Sequence, residues 1–218
     1  MIIFKNIARS SNGRTPPFGG GYLGSNPGLA ANKKMKSDIL RSDIKKEVIN
    51  FSTGEKYEML GGPNMTFSDI DIKKIEKICS QKGVYDILFN KKLNGRSYTE
   101  EDAIGFIKWL KEGWKDQTHF VFLIRKKDSE IIGAIDIKSL NLDRAEIGYW
   151  ADENYRGFMT NTVKELSLLA KEAGYIRLFA GVLARNNRSV AVLERAGFKK
   201  IKEDKKDSED HFIYEKEL

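Results

Sequence analysis

The chain has 218 residues, 40% of them apolar and 11% aromatic, enough for one well-cored domain and inconsistent with global disorder. Its net charge of +7 is concentrated at the start: of 38 basic residues, Lys5, Arg9, Arg14, Lys33 and Lys34 fall in residues 1–34, which hold no acid, leaving residues 35–218 with 33 basic against 31 acidic side chains and a net of +2. That near-neutral remainder argues against a phosphate-backbone reader, the single cysteine (Cys79) excludes an internal disulfide or a cysteine zinc cluster, and His119 and His211 are too few for a histidine metal site.

No apolar run approaches the roughly 18 residues of a spanning helix, and "MIIFKNIARSS" has too short an apolar run for a signal peptide, so no membrane association and a cytoplasmic location are expected. Residues 1–34 are read as a disordered or spurious extension. The segment Ser10 to Asn32 is rich in Gly, Ser, Asn and Pro without apolar periodicity, and its glycine triplet (Gly19 to Gly21) has no strand before it and no helix after it. Back-translation of Gly24 to Pro27 and of Ser10 to Arg14 permits codons resembling the T-arm and D-arm of a transfer RNA gene. The expectation is a true start at Met35, which the genomic codons decide, and a single domain over residues 35–218.

Within that domain the pattern is mixed. Lys56 to Leu60 reads as a first strand, closed by Gly61-Gly62-Pro63. Ile70, Ile72, Ile75 and Ile78 recur at helical spacing after a Ser68 or Thr66 cap. Thr99 stands three residues before Asp102, a capping-box start for a helix whose Ile104, Ile107, Trp109, Leu110 and Trp114 fall mostly on one side. Two β-rich runs around Lys127-Asp128-Ser129 form a hairpin, and Ala145 to Ala151 is a further strand. Val163, Leu166, Leu169, Ala170 and Ala173 then predict a helix ending at Gly174. "IRLFAGVLA" is a strand, "NRSVAVLERAGF" a short helix closed by Gly197 with Phe198 packing back, and "HFIYEKEL" the last strand. The order strand, two helices, β meander, helix, strand, helix, strand is that of an α/β (α+β) domain with a mixed central sheet flanked by helices.

This order and three motifs resemble the GNAT superfamily of acetyl-CoA-dependent N-acetyltransferases, in particular its ribosomal-protein N-terminal acetyltransferase branch, over roughly residues 60–216. The first motif is "AEIGYWADENYRG". In the family the matching strand lies beside the pantetheine arm, which the resemblance assigns to Trp150 and Ala151 here. Glu146 matches a position where many members carry an acid able to take a proton from an incoming ammonium, directly or through water. As a plain strand residue it would instead pair with a neighbouring strand or face solvent.

The second motif is "RGFMTNTVKEL". The family reads R-G-x-G-x-x-T before this helix, where backbone amides and the helix dipole hold the pyrophosphate. Here Phe158-Met159-Thr160-Asn161 follow Arg156-Gly157 directly, a gap of two residues against the family pattern. The shortened loop is expected to retain CoA through Arg156, Gly157, Phe158, Met159, Thr160 and Asn161, with weakened affinity. The third motif, "NNRSVAVLERAGF", matches N-x-x-S-x-x-V-L-E-x-x-G-F nearly throughout. The resemblance places Asn186 on the cofactor arm and Ser189 near the CoA sulfur, as a general acid or an orienting hydrogen bond. As local structure alone, Asn186 is a helix N-cap and Ser189 a first-turn residue.

The implied reaction is direct transfer of acetyl from acetyl-CoA, as acyl-donor cosubstrate, to a primary amine in a ternary complex, with no metal and no protein nucleophile. The acceptor is a small amine or a protein N-terminus, entering beside the region Phe89 to Trp114, whose Tyr98, Phe106, Trp109 and Trp114 are candidate acceptor walls or core. A homodimer is compatible with this reading. Two other readings stay open: a catalytically silent relative binding CoA or a peptide, favoured by the short loop, and a nucleic-acid-associated protein, weakened by Glu203, Asp204 and Asp207 among the late lysines.

Overall fold

The computed structural model describes residues 38–127, 129–206 and 209–218. The expected extension over residues 1–34 lies outside them, as do Asp128 of the predicted hairpin turn and Asp207.

Eight strands form one sheet in the order β1-β2-β3-β4-β5-β6-β8-β7. In chain order these are β1 (Ile44–Ile49), β2 (Lys56–Gly61), β3 (Phe120–Arg125), β4 (Ile131–Ile137), β5 (Ala145–Ala151), β6 (Arg177–Leu183), β7 (Lys199–Lys206) and β8 (Glu209–Glu217). The helices are α1 (Asp69–Cys79), α2 (Lys82–Leu88), α3 (Glu100–Asp116), α4 (Met159–Ala173) and α5 (Asn187–Arg195). The mixed sheet flanked by helices is the expected fold class. Four elements are additions to it: a short 3-10 helix (Asp38–Arg41), β1, α2 and β7.

Two of the helix starts are fixed by reciprocal hydrogen bonds. Ser68 Oγ accepts from the Asp71 N–H while the Asp71 carboxylate accepts from the Ser68 N–H, and Thr99 with Asp102 repeats the arrangement for α3. Of the α1 isoleucines, Ile75 and Ile78 are fully buried, whereas Ile70 is exposed. Trp114 of α3 packs edge-on against Phe120 and Phe122 and donates its indole N–H to Val121 O at 2.8 Å, tying helix to strand. Cys79 is buried, as expected of an apolar filler, and burial pushes its thiol up, away from reactivity.

Strands β1 to β5 are joined by antiparallel ladders. The β5–β6 junction is parallel and stops after two pairs, Ala145↔Leu178 and Glu146↔Phe179, although each strand runs on for seven residues in total. Beyond Glu146 the strands diverge and the sheet splits into a wedge. Tyr149 reaches across it, its hydroxyl donating to Ser189 O at 3.2 Å.

Candidate active site

The wedge opens into a cleft of about 1040 Å³ whose lining includes Glu146, Trp150, Gly157, Thr160, Asn186 and Ser189. The remaining sequence-predicted residues, Ala151, Arg156, Phe158 and Met159, line the same cleft. Asn161, the other predicted residue, does not line it; its Nδ2 instead donates to Ile49 O at 2.7 Å.

Backbone direction along β5 alternates. Lys138 N donates to Glu146 O and Asp152 N to Ile132 O, so even-numbered residues between them turn their backbone groups to β4. Ile147, Tyr149 and Ala151 therefore present theirs to the wedge, where β6 no longer pairs with them. Trp150 offers its side chain instead, packed edge-on against Phe106 of α3 with centroids 5.8 Å apart. Of the four aromatics proposed as acceptor walls, Phe106 lines the cleft, while Tyr98, Trp109 and Trp114 are buried in the core.

The short loop before α4 is held from a distance in sequence. Gly157 has φ +88°, and a Cβ there would run into the Asn50 side chain. Asn50, buried at the end of β1, donates from Nδ2 to Arg156 O at 2.7 Å, and Phe51 N donates to Gly157 O at 2.9 Å. Helix α4 then starts at Met159, with Phe158 as its N-cap residue and no side-chain cap. The first-turn amides of such a helix have no intrahelical partner and favour anions. Phe158 itself is fully buried against Tyr57, with centroids 5.5 Å apart, so only its backbone serves the cleft. Thr160 Oγ1 accepts from Arg195 Nε at 3.4 Å, and that guanidinium lies 5.4 Å from the Phe51 ring centroid. These features fit a pyrophosphate: free amides, a cation beside them and a glycine that lets backbone approach.

The loop leading to Gly157 hangs on a polar network. Asp152, 2% exposed in its side chain, accepts from Lys74 Nζ at 2.9 Å and from Gln81 Nε2 at 2.7 Å, and Lys74 also pairs with Glu130. Burial acts to raise the Asp152 carboxyl, but these hydrogen bonds outweigh it and hold it below the usual carboxylate range.

At α5, Asn186 Oδ1 accepts from Ser189 N at 3.2 Å and its Nδ2 donates to Ser189 Oγ at 3.1 Å. The cap and the candidate acid are thus one unit. With Oγ accepting from Asn186, the Ser189 O–H is directed elsewhere. The C-terminus of α5 closes with Phe198 N to Leu193 O and Gly197 N to Glu194 O, both at 3.0 Å, the two-bond glycine cap foreseen from sequence.

Glu146 lies at the apex of the wedge, where Lys138 Nζ donates to its Oε1 at 2.6 Å, with side chains 6% and 11% exposed. Register places Asp136, Lys138, Glu146, Gly148 and Trp150 on one face of the sheet, the face that meets Phe106. Asp136 was not anticipated as a site residue. The signal for it was an acid alone among the apolar residues of "IIGAIDI". Among the described residues no group of three or more His, Cys, Asp or Glu is placed to hold a metal ion.

Residues 66–199 match the family profile described as an acetyltransferase (GNAT) domain. The chain belongs to the GNAT acetyltransferase family. It is 35% identical over 92 residues to a probable N-acetyltransferase of Bacillus subtilis, covering 39% of this chain and 51% of that one. It is also 29% identical over 108 residues to an uncharacterized protein of Methanocaldococcus jannaschii, covering 48% of this chain and 22% of that one. The matches therefore span about half the length of one curated relative and less of the other. Among solved structures, RimJ of Mycobacterium smegmatis in complex with CoA-disulfide superposes with TM-score 0.63 at 17% identity, covering 79% of this chain and 86% of that one. The microcin C7 self-immunity acetyltransferase MccE, in complex with acetyl-CoA and AMP, gives 0.60 at 19%, covering 74% and 92%. The ribosomal-protein-S5-alanine acetyltransferase of Vibrio fischeri gives 0.59 at 22%, covering 80% and 97%. At these identities the likeness establishes the fold.

Proposed function

We propose that residues 35–218 are a cytoplasmic N-acetyltransferase that moves acetyl from acetyl-CoA to a primary amine, a small molecule or a protein N-terminus, within a ternary complex. The observation that carries this reading is the wedge: unpaired β5 backbone on one side, α5 on the other, and an uncapped helix N-terminus at its outer end.

Acetyl-CoA supplies a thioester whose acetyl group an amine can accept without a protein nucleophile. The outward backbone groups of Tyr149 and Ala151 would hold the pantetheine arm, and the amides of Gly157 to Thr160 with Arg195 would hold the pyrophosphate. Asn186 holds Ser189 in the first turn of α5, where the serine O–H protonates or orients the departing sulfur. An ammonium entering along Phe106 meets the acidic floor at Glu146 and Asp136, which relieves it of its proton. Backbone N–H groups on the open edge of β5 stabilise the developing oxyanion.

Calorimetric titration of the full chain with acetyl-CoA tests the cofactor half, and thiol release with a panel of primary amines and an N-terminal peptide tests the transfer. Micromolar binding with amine-dependent thiol release is expected. Binding without transfer to any amine would favour a silent CoA-binding relative, and no binding at all would remove the reading.

A further inference from the structure

Two carboxyl groups share the floor of the wedge, and the structure distinguishes them. Glu146 is closed into an ion pair with Lys138 at 2.6 Å, both side chains nearly buried. Glu146 Oε1 is thereby already engaged by a buried ammonium whose charge it balances. Asp136 stands across the strand pair from Gly148, whose N–H donates to Oδ1 at 3.0 Å and fixes the carboxyl plane. A Cβ on Gly148 would lie 2.9 Å from Lys138 Nζ and 3.2 Å from Asp136 Oδ1, so the missing side chain makes the room in which both groups reach over β5. Asp136 is 8% exposed and lines the cleft.

We infer that Asp136 is the catalytic base of this site, taking the proton from the acceptor's ammonium, with the Lys138–Glu146 pair as its fixed electrostatic neighbour. The inference rests on the acetyl-transfer reading above. The charged groups facing Asp136 are Lys138 from its own strand, Glu146 from β5 and Lys92 from the segment after α2. Burial is the largest influence on the carboxyl and Glu146 adds to it, while Lys138, the Gly148 N–H and Lys92 oppose them; the balance lifts Asp136 to about 7. A base poised near neutral pH accepts a proton at working pH and returns it to water afterwards.

The step balances. The ammonium gives one proton to the Asp136 carboxylate, and the freed amine forms a C–N bond to the thioester carbonyl carbon. The C–S bond breaks, the second nitrogen proton accompanies the leaving sulfur by way of Ser189 or water, and Asp136 releases its proton to solvent.

The test compares the full-length wild-type chain with Asp136→Asn and Glu146→Gln. Carbon-13 NMR of aspartate-labelled protein reads the titration directly, without an acceptor. An aspartyl carboxyl titrating near pH 7 and missing from Asp136→Asn is expected. With ethanolamine, phenylethylamine and a seryl peptide as probe amines, kcat/KM should rise through an acidic limb near pH 7. Asp136→Asn should lose that limb and about a hundredfold or more of the rate, with acetyl-CoA affinity unchanged. Glu146→Gln removes a negative neighbour and should move the limb to lower pH. No aspartyl titration between pH 6 and 8, Asp136→Asn activity within a few-fold of wild type, or bound acetyl-CoA with no probe amine turned over would each overturn the assignment. Loss of acetyl-CoA binding by the wild-type chain would instead remove the transfer reading beneath it.

Discussion

Replacing Asp136 by asparagine should stabilise the folded protein at neutral and alkaline pH while impairing its chemistry. The side chain is isosteric and its oxygen can still accept the Gly148 N–H, so the main change is the loss of an ionisable group in a buried place. Burial, aided by Glu146, raises Asp136 from the ordinary 3.8 to about 7, so the native state holds its proton to higher pH than the unfolded chain does. Between those two values the native state binds more protons, and stability falls as pH rises. Above pH 7 the cost is complete, at about 4 kcal/mol when the displacement is converted at 1.36 kcal/mol per tenfold change in proton affinity. At pH 5 the same relation gives about 2 kcal/mol, so the advantage of Asp136→Asn should grow by about 2 to 3 kcal/mol between pH 5 and pH 8. Urea unfolding at both pH values, with midpoints compared at constant slope, measures this. A variant that gains nothing on going from pH 5 to pH 8, or loses ground, would refute the claim that the site holds a carboxyl against its ionisation.

Gly157→Ala places a Cβ against Asn50 in a left-handed conformation and should cost about 1 kcal/mol or more of stability, together with a clear loss of acetyl-CoA affinity by calorimetry. Ser189→Ala should reduce kcat by up to about a hundredfold with acetyl-CoA binding intact; equal losses in binding and turnover would mark the serine as structural only. Lys74→Met leaves Asp152 without its buried cation and should destabilise by about 3 kcal/mol in urea unfolding, and the double variant with Asp152→Asn should recover part of that.

What the sequence disclosed and what it hid follow from where each signal is stored. Helices α1 and α3 carry their starts locally, in Ser68 with Asp71 and Thr99 with Asp102, and these are legible without tertiary context. Strand β1 reads "IKKEVI": three of its six side chains are charged, as suits a strand at the sheet edge, and that masks its alternation. Strand β7, "KKIKEDKK", looks like a solvated turn for the same reason and forms the opposite edge. Helix α2 spans seven residues, includes Gly83 and has no side-chain cap, so it shows neither a start signal nor enough length for a period. Missing β1 had a consequence for the site. The Asn50 clamp on Arg156 and Gly157 directly follows that strand, about a hundred positions upstream of the loop it holds (106 for the Asn50–Arg156 bond). The motif residues from Arg156 to Asn161 and from Asn186 to Ser189 were visible because each runs along one turn of chain. The pairing of Lys138 with Glu146, and its placement beside Asp136, depend on register between strands, which no local pattern records.

The parting of β5 from β6 also makes the sheet mechanically two leaves. One leaf is β1 to β5 and the other is β6, β8 and β7, and their shared hydrogen-bonded seam is confined to Ala145↔Leu178 and Glu146↔Phe179. A seam that short gives the C-terminal leaf scope to exchange its amide hydrogens as a separate cooperative unit. A ligand lying in the wedge would touch both leaves at once, so its binding energy would be spent in joining them. Slowed exchange on cofactor addition should therefore extend into β6 and β8, well beyond the residues in contact.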